Sequence, residues 1–577
     1  MKFPQLYTQQ AERQMIDLFK GYNHNLRINE GEFYDMENLS SDYYPVLSPR
    51  RPRGTYELDS NLTGLIAKDS LCYTAGQYFV MNEYRIDMGL SNEPKQLISM
   101  GAYVIIMPDK KYINTMDLTD YGDIEQSYTS SDTVSFELCA LDGSAYSVTT
   151  ISGDEPANPQ NLEYWIDTST TPHTLKQYSE TNAVWVSIAT TYVKISSKNI
   201  GKNFEQYDGV TISGVKDAAL ADLNNTMVIW EKADDYIVVV GLIDQVTTQT
   251  DTITVKRLMP NLDYITESGN RLWGCRYGVA VNGDVVNEIY ACKLGDFRNW
   301  NCFMGLSTDS YVASCGTDGP FTGAATLTYP IFFKENCLHK VYGSQPSNFQ
   351  IQATECRGVQ KGCSASLAVV NETLFYKSRN DVMAYDGSLP LEASYALGGE
   401  AYSDAVAGAC GNKYFISMKD SAGQWNLFVF DTARSLWHKE DHLHALALCA
   451  CRGEMYAIDV DASRIATLNG SGTAYEDSVE WMAQTGEIGL ESPDMKYISR
   501  LTIRMFLGVS ATLKIYIQYD LESDWHFVCS LEHTNLRSFS IPIRPRRCDH
   551  LKLKFVGEGD AKIYSITKTI EQGSELS

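Results

Sequence analysis

His438, His442 and His444 stand close together, with Glu440 and Asp441 among them. Imidazole and carboxylate groups are the usual zinc ligands outside cysteine, so the group has the chemistry of a metal site. It reads equally as a polar loop between two strands, the commoner fate of such residues. Asp459 and Asp461 bracket Val460 near Asp477, and Asp117, Asp120 and Asp123 form a second acidic group. Carboxylate oxygens suit calcium, but Asp is also a frequent turn former. No metal or cofactor is expected from these groups. Two basic clusters stand out from an acidic background: Arg50, Arg51 and Arg53, and Arg544, Arg546 and Arg547. Their guanidinium forks could pair with the carboxylates of a neighbouring protein, or remain solvated. They are the candidate partner-docking residues.

Signatures of nucleophilic and phosphate chemistry are missing. The sequence has no G-x-S-x-G, H-E-x-x-H, G-x-x-x-x-G-K-[ST] or G-x-G-x-x-G pattern. A glycosidase needs two carboxylates facing one cleft; among 72 acidic residues no pair selects itself, and no S-x-D-x-G-x-x-W repeat appears. The expectation is a chain that is not an enzyme.

The elements available to position these residues are strands. Tyr contributes 36 residues to an aromatic content of 11%, and Tyr, Val, Ile, Thr and Phe suit a pleated sheet. The 577 residues exceed what one core serves. A net charge of −24 argues against a general nucleic-acid binder. The N-terminus lacks an apolar leader and no apolar run reaches membrane-spanning length, so neither a secretion signal nor a membrane span is expected. The 14 cysteines sit mostly within apolar runs and form no CxxC pair. They read as free buried thiols.

Residues 1–61 are irregular, with Pro45, Pro49 and Pro52 in quick succession, and read as an extended docking arm. From residue 62 a weak repeat sets in: an apolar strand, a turn, an aromatic-rich strand, another turn and a third strand. Copies fall in 62–117 and 264–469, about seven in all. This predicts a β-propeller of approximately seven blades. Phe430-Asp431-Thr432-Ala433-Arg434-Ser435-Leu436-Trp437 follows a kelch-like blade ending, in which Asp closes a turn and Trp wedges against the next blade. Residues 118–263 carry strands of their own and read as inserted β modules. In 470–577 the strands alternate with period two, which predicts a C-terminal β-sandwich.

This organisation resembles the DNA-stabilisation or tail-nozzle proteins of tailed phages. The likeness is carried by Tyr43-Tyr44-Pro45-Val46-Leu47-Ser48-Pro49-Arg50, by Asn287 to Trp300, and by the blade Thr373 to Gly387. Separately, Trp165-Ile166-Asp167-Thr168-Ser169, Leu175-Lys176-Gln177-Tyr178 and Trp185-Val186 look like a small module of phage tail and fibre proteins. The resemblance implies a structural virion protein in the head–tail connector or tail nozzle, assembled as a homo-oligomeric ring in the bacterial cytoplasm. Its partners would be portal, adaptor, tail or fibre proteins, with DNA passing nearby without specific binding. Two rival readings stay open: a tail-tip protein that binds a host-surface glycan through an aromatic-lined pocket in the insertion, and a propeller glycosidase with carboxylates converging on the propeller axis.

Overall fold

In the computed structural model the described residues are 11–280, 283–474, 476–491 and 495–572. They form a mainly β protein, with helix confined to four short 3₁₀ turns among these residues. The chain divides into two compact units. The first gathers the described parts of Met1–Lys95, Phe333–Leu338 and Thr354–Ser577; the second holds Gln96–Phe332 and His339–Ala353.

The repeat is a four-stranded antiparallel meander. In the first unit one copy runs Leu62–Ala67, Leu71–Ala75, Tyr78–Met81 and Tyr84–Asp87. A second runs Ala368–Val370, Thr373–Lys377, Val382–Tyr385 and Leu391–Glu392. A third runs Ser403–Cys410, Lys413–Lys419, Trp425–Asp431 and Leu436–Lys439. The last has only three consecutive strands, Ala445–Cys451, Glu454–Asp459 and Arg464–Thr467, and takes its fourth from the N-terminal region: Gly54–Leu58 pairs antiparallel with Arg464–Thr467. In the second unit the meanders begin at Gln96–Met100, Tyr264–Ser268 and Gly323–Thr326. The Gln96 meander ends on Tyr121–Asp123, so the insertion starts later than residue 118.

Within each unit the first strands of successive meanders lie side by side, and apolar cores fill the space between meanders. Phe415, Leu427 and Val429 meet Ala445, Met455 and Ala457 in one such core; Leu62, Leu71 and Tyr73 meet Ile458 and Ile465 in another. A meander cannot bury both faces alone, and stacking solves this. The close approach of first strands demands small residues. A Cβ on Gly408 would lie 2.8 Å from the Leu448 Cβ. Gly408→Val is therefore expected to destabilise the first unit by about 1–3 kcal/mol through overpacking, read as a lower urea midpoint by tryptophan fluorescence. Gly54 faces a similar constraint, its missing side chain leaving room for the Ser471 carbonyl and the Thr467 hydroxyl.

The insertion builds three sheets around one core that includes Phe136, Ile166, Leu175, Phe204 and Val255. In one of them Val148–Ser152 runs parallel to Tyr164–Asp167, followed by Thr174–Ser179 and Val184–Ser187.

The C-terminal region forms one eight-stranded sheet around a long strand, Lys496–Tyr519. Its first half, Lys496–Leu507, pairs with Ala561–Gln572, and its second half, Thr512–Tyr519, with Leu551–Glu558. Buried Leu501, Ile503, Met505 and Leu507, then Leu513, Ile515 and Ile517, trace a period of two broken once between the halves. The alternation expected for 470–577 is present. The irregular extended arm expected for residues 1–61 is not, over its described part. Glu12–Ile16 pairs with Ala561–Gln572, Phe33–Glu37 pairs with Glu480–Thr485, and both are strands of this sheet. Strands need partners for their backbone groups, and here the partners are at the other end of the same chain. Residues 1–10 lie outside the described residues.

Candidate docking surface

The two arginine clusters have opposite fates. Arg50 and Arg53 are buried, at 6% and 2% exposure. Arg50 grips Glu476 with both terminal nitrogens at 2.7 and 2.9 Å and gives its Nε to the Asn38 side chain at 2.8 Å. Arg53 reaches Glu440 at 2.6 Å, Asp441 at 3.0 Å and the Leu468 carbonyl at 3.2 Å. Its backbone N–H also donates to Glu476, at 2.7 Å. Burial pushes the Glu440 carboxyl above its ordinary range. Burial also works against ionised Asp441 and Glu476, but there the arginines outweigh it and both carboxyls sit low. These residues lock the N-terminal segment to the chain's own strands. As partner-docking residues Arg50 and Arg53 are corrected: their charge is spent internally. Arg51 stays on the surface, 3.9 Å from Asp42.

Arg544, Arg546 and Arg547 are exposed. They follow the strand His526–Ile541, in a stretch where Pro542 and Pro545 limit regular structure. Arg546 pairs with Glu522 at 2.6 Å and lies over the Tyr519 ring. Glu522 also contacts His526 Nε2 at 2.9 Å, and the hydrogen bonds from Arg546 and His526 hold its carboxyl below the usual range. Arg547 stands opposite Tyr497 in a two-residue ladder. Tyr497, Leu521 and Phe527 are all exposed in this region of the chain. The stretch therefore exposes arginines beside apolar side chains, a combination a protein partner can use.

The remaining candidates resolve into structural roles. His438 is buried in Leu436–Lys439, and burial pushes its imidazole down to about 3. His442 sits 3.7 Å from Glu37, and His444 3.0 Å from Asp461 while stacking on Trp425. Among the described residues no group of three His, Cys, Asp or Glu is placed to hold a metal ion. Asp459 pairs with Arg464, Asp123 with Lys111, and Asp117 closes a turn onto Thr119. Asp431 accepts from the Ala433 N–H, and Trp437 donates its indole N–H to the Ala393 carbonyl beyond the preceding meander, at 2.8 Å. The 14 cysteines are all free thiols, nine of them buried.

In the insertion, buried Trp165 meets Trp185 edge-on, Trp185 meets Tyr178, and the Lys176 ammonium lies 4.8 Å from the Trp165 ring. These aromatics pack on one another. The insertion's cleft, about 370 Å³, is instead lined by aliphatic residues such as Leu220, Leu223 and Val240, with His173 and Asp244 paired at 3.1 Å. The aromatic-lined pocket that a glycan-binding tip calls for is therefore not what this cleft offers. Among the described residues, the first strands of the first unit's meanders carry a single acid, Asp404, which faces Lys419 at 3.6 Å. Sequence reasoning missed the exposure of His526–Ile541, whose alternation of apolar residues looks like that of any half-buried strand.

Neither a family model nor a curated protein matches the chain. Solved structures that match include glycoside hydrolases. One is an exo-β-1,3-galactanase from Phanerochaete chrysosporium with galactose, at 10% identity and a TM-score of 0.19, covering 53% of this chain and 94% of the other. Another is a Trypanosoma rangeli sialidase in complex with a difluoro-KDN ligand, at 8% identity and a TM-score of 0.18, covering 97% of this chain and 96% of the other. The expectation that the chain is not an enzyme is corrected on this finding, since the similar structures are enzymes, and it is dropped. Among the described residues no helix is long and apolar enough to cross a membrane.

Proposed function

We propose that the chain is a structural subunit of a tailed-phage head–tail connector or tail nozzle, forming part of a ring that extends the DNA channel. In this reading the stacked meanders close into a seven-bladed propeller and the long-strand sheet folds over as a C-terminal β-sandwich. The observation that carries the reading is the binding of the N-terminal segment into the last meander and the C-terminal sheet. A wall around pressurised DNA must not fray, and here the strands Glu12–Ile16 and Ala561–Gln572 are held together by a backbone ladder. The partners are other copies of the chain, portal or adaptor proteins above it, and tail or fibre proteins below. Assembly takes place in the host cytoplasm, and the mature protein resides in the virion.

The net charge of −24 supports a channel that conducts DNA without holding it. Each phosphate neutralised by a Lys or Arg would add affinity and about 0.9 of log–log salt slope. Purified protein is therefore expected to show negligible duplex binding at physiological salt, measured by fluorescence anisotropy. The deciding experiment is mass spectrometry and antibody labelling of purified tailed particles from cells that carry the gene. The chain should occur in a fixed ratio to the portal protein and label the neck or tail. Absence from particles, together with turnover in a glycan panel abolished by one carboxylate substitution, would overturn the reading.

A further inference from the structure

We infer that a cleft in the first unit, walled by Glu335, Asn336, Arg357, Arg379 and Asn380, is a binding site for a small hydroxylated oxyanion, the class of sugar acids and sugar phosphates. Such a site does not depend on where the chain sits in a particle.

Three connections build the cleft: the turn after Pro330–Phe333, the crossover after Gln350–Glu355, and the turn after Thr373–Lys377. The residues that wall it all belong to the first unit. Its volume is about 310 Å³, within the roughly 300–1,000 Å³ of small-molecule sites. None of its lining side chains is aromatic or aliphatic. It therefore suits a ligand that forms hydrogen bonds over most of its surface.

The donors select an anion. Arg357 and Arg379 are 60% and 69% exposed. Each spends a single terminal nitrogen on a carboxylate: Arg357 on Asp381, and Arg379 on Glu335 at 3.3 Å. A guanidinium carries more N–H donors than one such contact uses, and its planar fork matches a carboxylate or phosphate. The side chains of Asn336 and Asn380 are exposed and make no hydrogen bond among the described residues. Against the third turn lies Lys377, 1% exposed. Its ammonium donates to the carbonyls of Ser378 at 2.5 Å and Arg379 at 3.3 Å, and to the Gln360 side chain at 3.3 Å. Among the described residues it forms no salt bridge with a carboxylate. Segments 334–336, 355–361 and 377–381 together hold five cations and three acids. That is a positive spot on a chain of net charge −24, and such a spot concentrates anions.

Glu335 selects the hydroxyls. One of its carboxylate oxygens takes the Lys361 N–H at 3.3 Å and the other takes Arg379 at 3.3 Å. Both bonds are long, so acceptor capacity remains. This carboxylate repels a bare anion but accepts from the hydroxyls that a sugar acid or sugar phosphate carries beside its charged group.

The test uses the full chain. Saturation-transfer NMR titrations should detect binding of glucuronate or glucose 6-phosphate, and the tighter of the two tells a carboxylate ligand from a phosphate one. Glucose and inorganic phosphate each lack half of the chemistry and should bind about tenfold more weakly or worse. Arg357→Gln with Arg379→Gln should weaken binding of the sugar anion about tenfold or more. Both positions are exposed, and an unchanged circular dichroism spectrum checks the fold. Independently of any variant, hydrogen exchange in 355–361 and 377–381 should slow when the sugar anion is added. No binding of either sugar anion at millimolar concentration overturns the inference. So does binding unchanged in the double variant, glucose binding as well as the anions, or exchange in those segments indifferent to ligand. Duplex DNA that displaces the sugar anion would assign the positive spot to a nucleic-acid backbone and overturn it as well.

Discussion

Arg53→Ala is expected to cost the first unit about 3–5 kcal/mol, because it leaves buried carboxylates without their cation. Arg53 is 2% exposed and spans Glu440, Asp441 and a backbone carbonyl. Removing it strands Glu440, itself buried, and weakens Asp441. Arg53→Lys recovers only part of the loss, since one ammonium cannot reproduce the planar fork. Arg53→Met with Glu440→Gln should recover more, because no buried charge is then left unpaired at Glu440. Arg51→Glu is the control: on the surface, with one loose ion pair, it should stay within about 0.5 kcal/mol of the parent. Urea unfolding followed by tryptophan fluorescence reads all four. The pH sign follows from the two depressed carboxyls, Asp441 and Glu476. Their contribution is present above their unfolded values near 4 and is lost as acid carries the pH down through the folded values. An Arg53→Ala midpoint within about 0.5 kcal/mol of wild type would mean the cluster contributes nothing net.

His438 sets a second acid-sensitive step, at higher pH. Its ring is buried beside Gly21, where Trp437 accepts the N–H of Tyr22 at 2.7 Å and so holds the N-terminal segment. Burial pushes the imidazole down to about 3; Lys413 adds to this, while Asp431 and Asp42 oppose it. An unfolded imidazole titrates near 6.5. Below that value the unfolded chain binds a proton that the folded chain refuses, so stability falls with acid by about 1.4 kcal/mol per pH unit, or roughly 3 kcal/mol by pH 4.5. The segment around Tyr22 should become protease-sensitive first. His438→Gln should flatten the stability profile between pH 6.5 and 4.5; an unchanged slope would assign the sensitivity elsewhere.

The meanders were legible in the sequence because each is local. Thr373 to Tyr385 shows its strands, turn and aromatic residues within one short window, and the kelch-like Asp431 and Trp437 declare their turn and wedge. The insertion was legible for the same reason, apart from its boundary. What the sequence hid was pairing between distant segments. Gly54–Leu58 reads as irregular because its partner Arg464–Thr467 is remote, and Glu12–Ile16 looks unstructured among its polar neighbours. Arg50 and Arg53 read as a surface cluster since nothing near them announces Glu440, Asp441 or Glu476. Arg544, Arg546 and Arg547, read as candidate docking residues, are exposed, and the strand preceding them was not suspected of having a free edge.

The strand Gly54–Leu58 also sets a timetable for biogenesis. It leaves the ribosome long before Arg464–Thr467, its partner, exists. About 400 residues separate them, and at roughly 5–20 residues per second the wait is on the order of 20–80 s. Throughout that interval the nascent chain trails an unsatisfied strand while the intervening meanders form behind it. A chaperone that shields extended β segments would have its longest engagement there. Translation arrested anywhere before residue 464 should yield a product whose leading 60 or so residues are the first to be cleaved, however well the middle of the chain has folded.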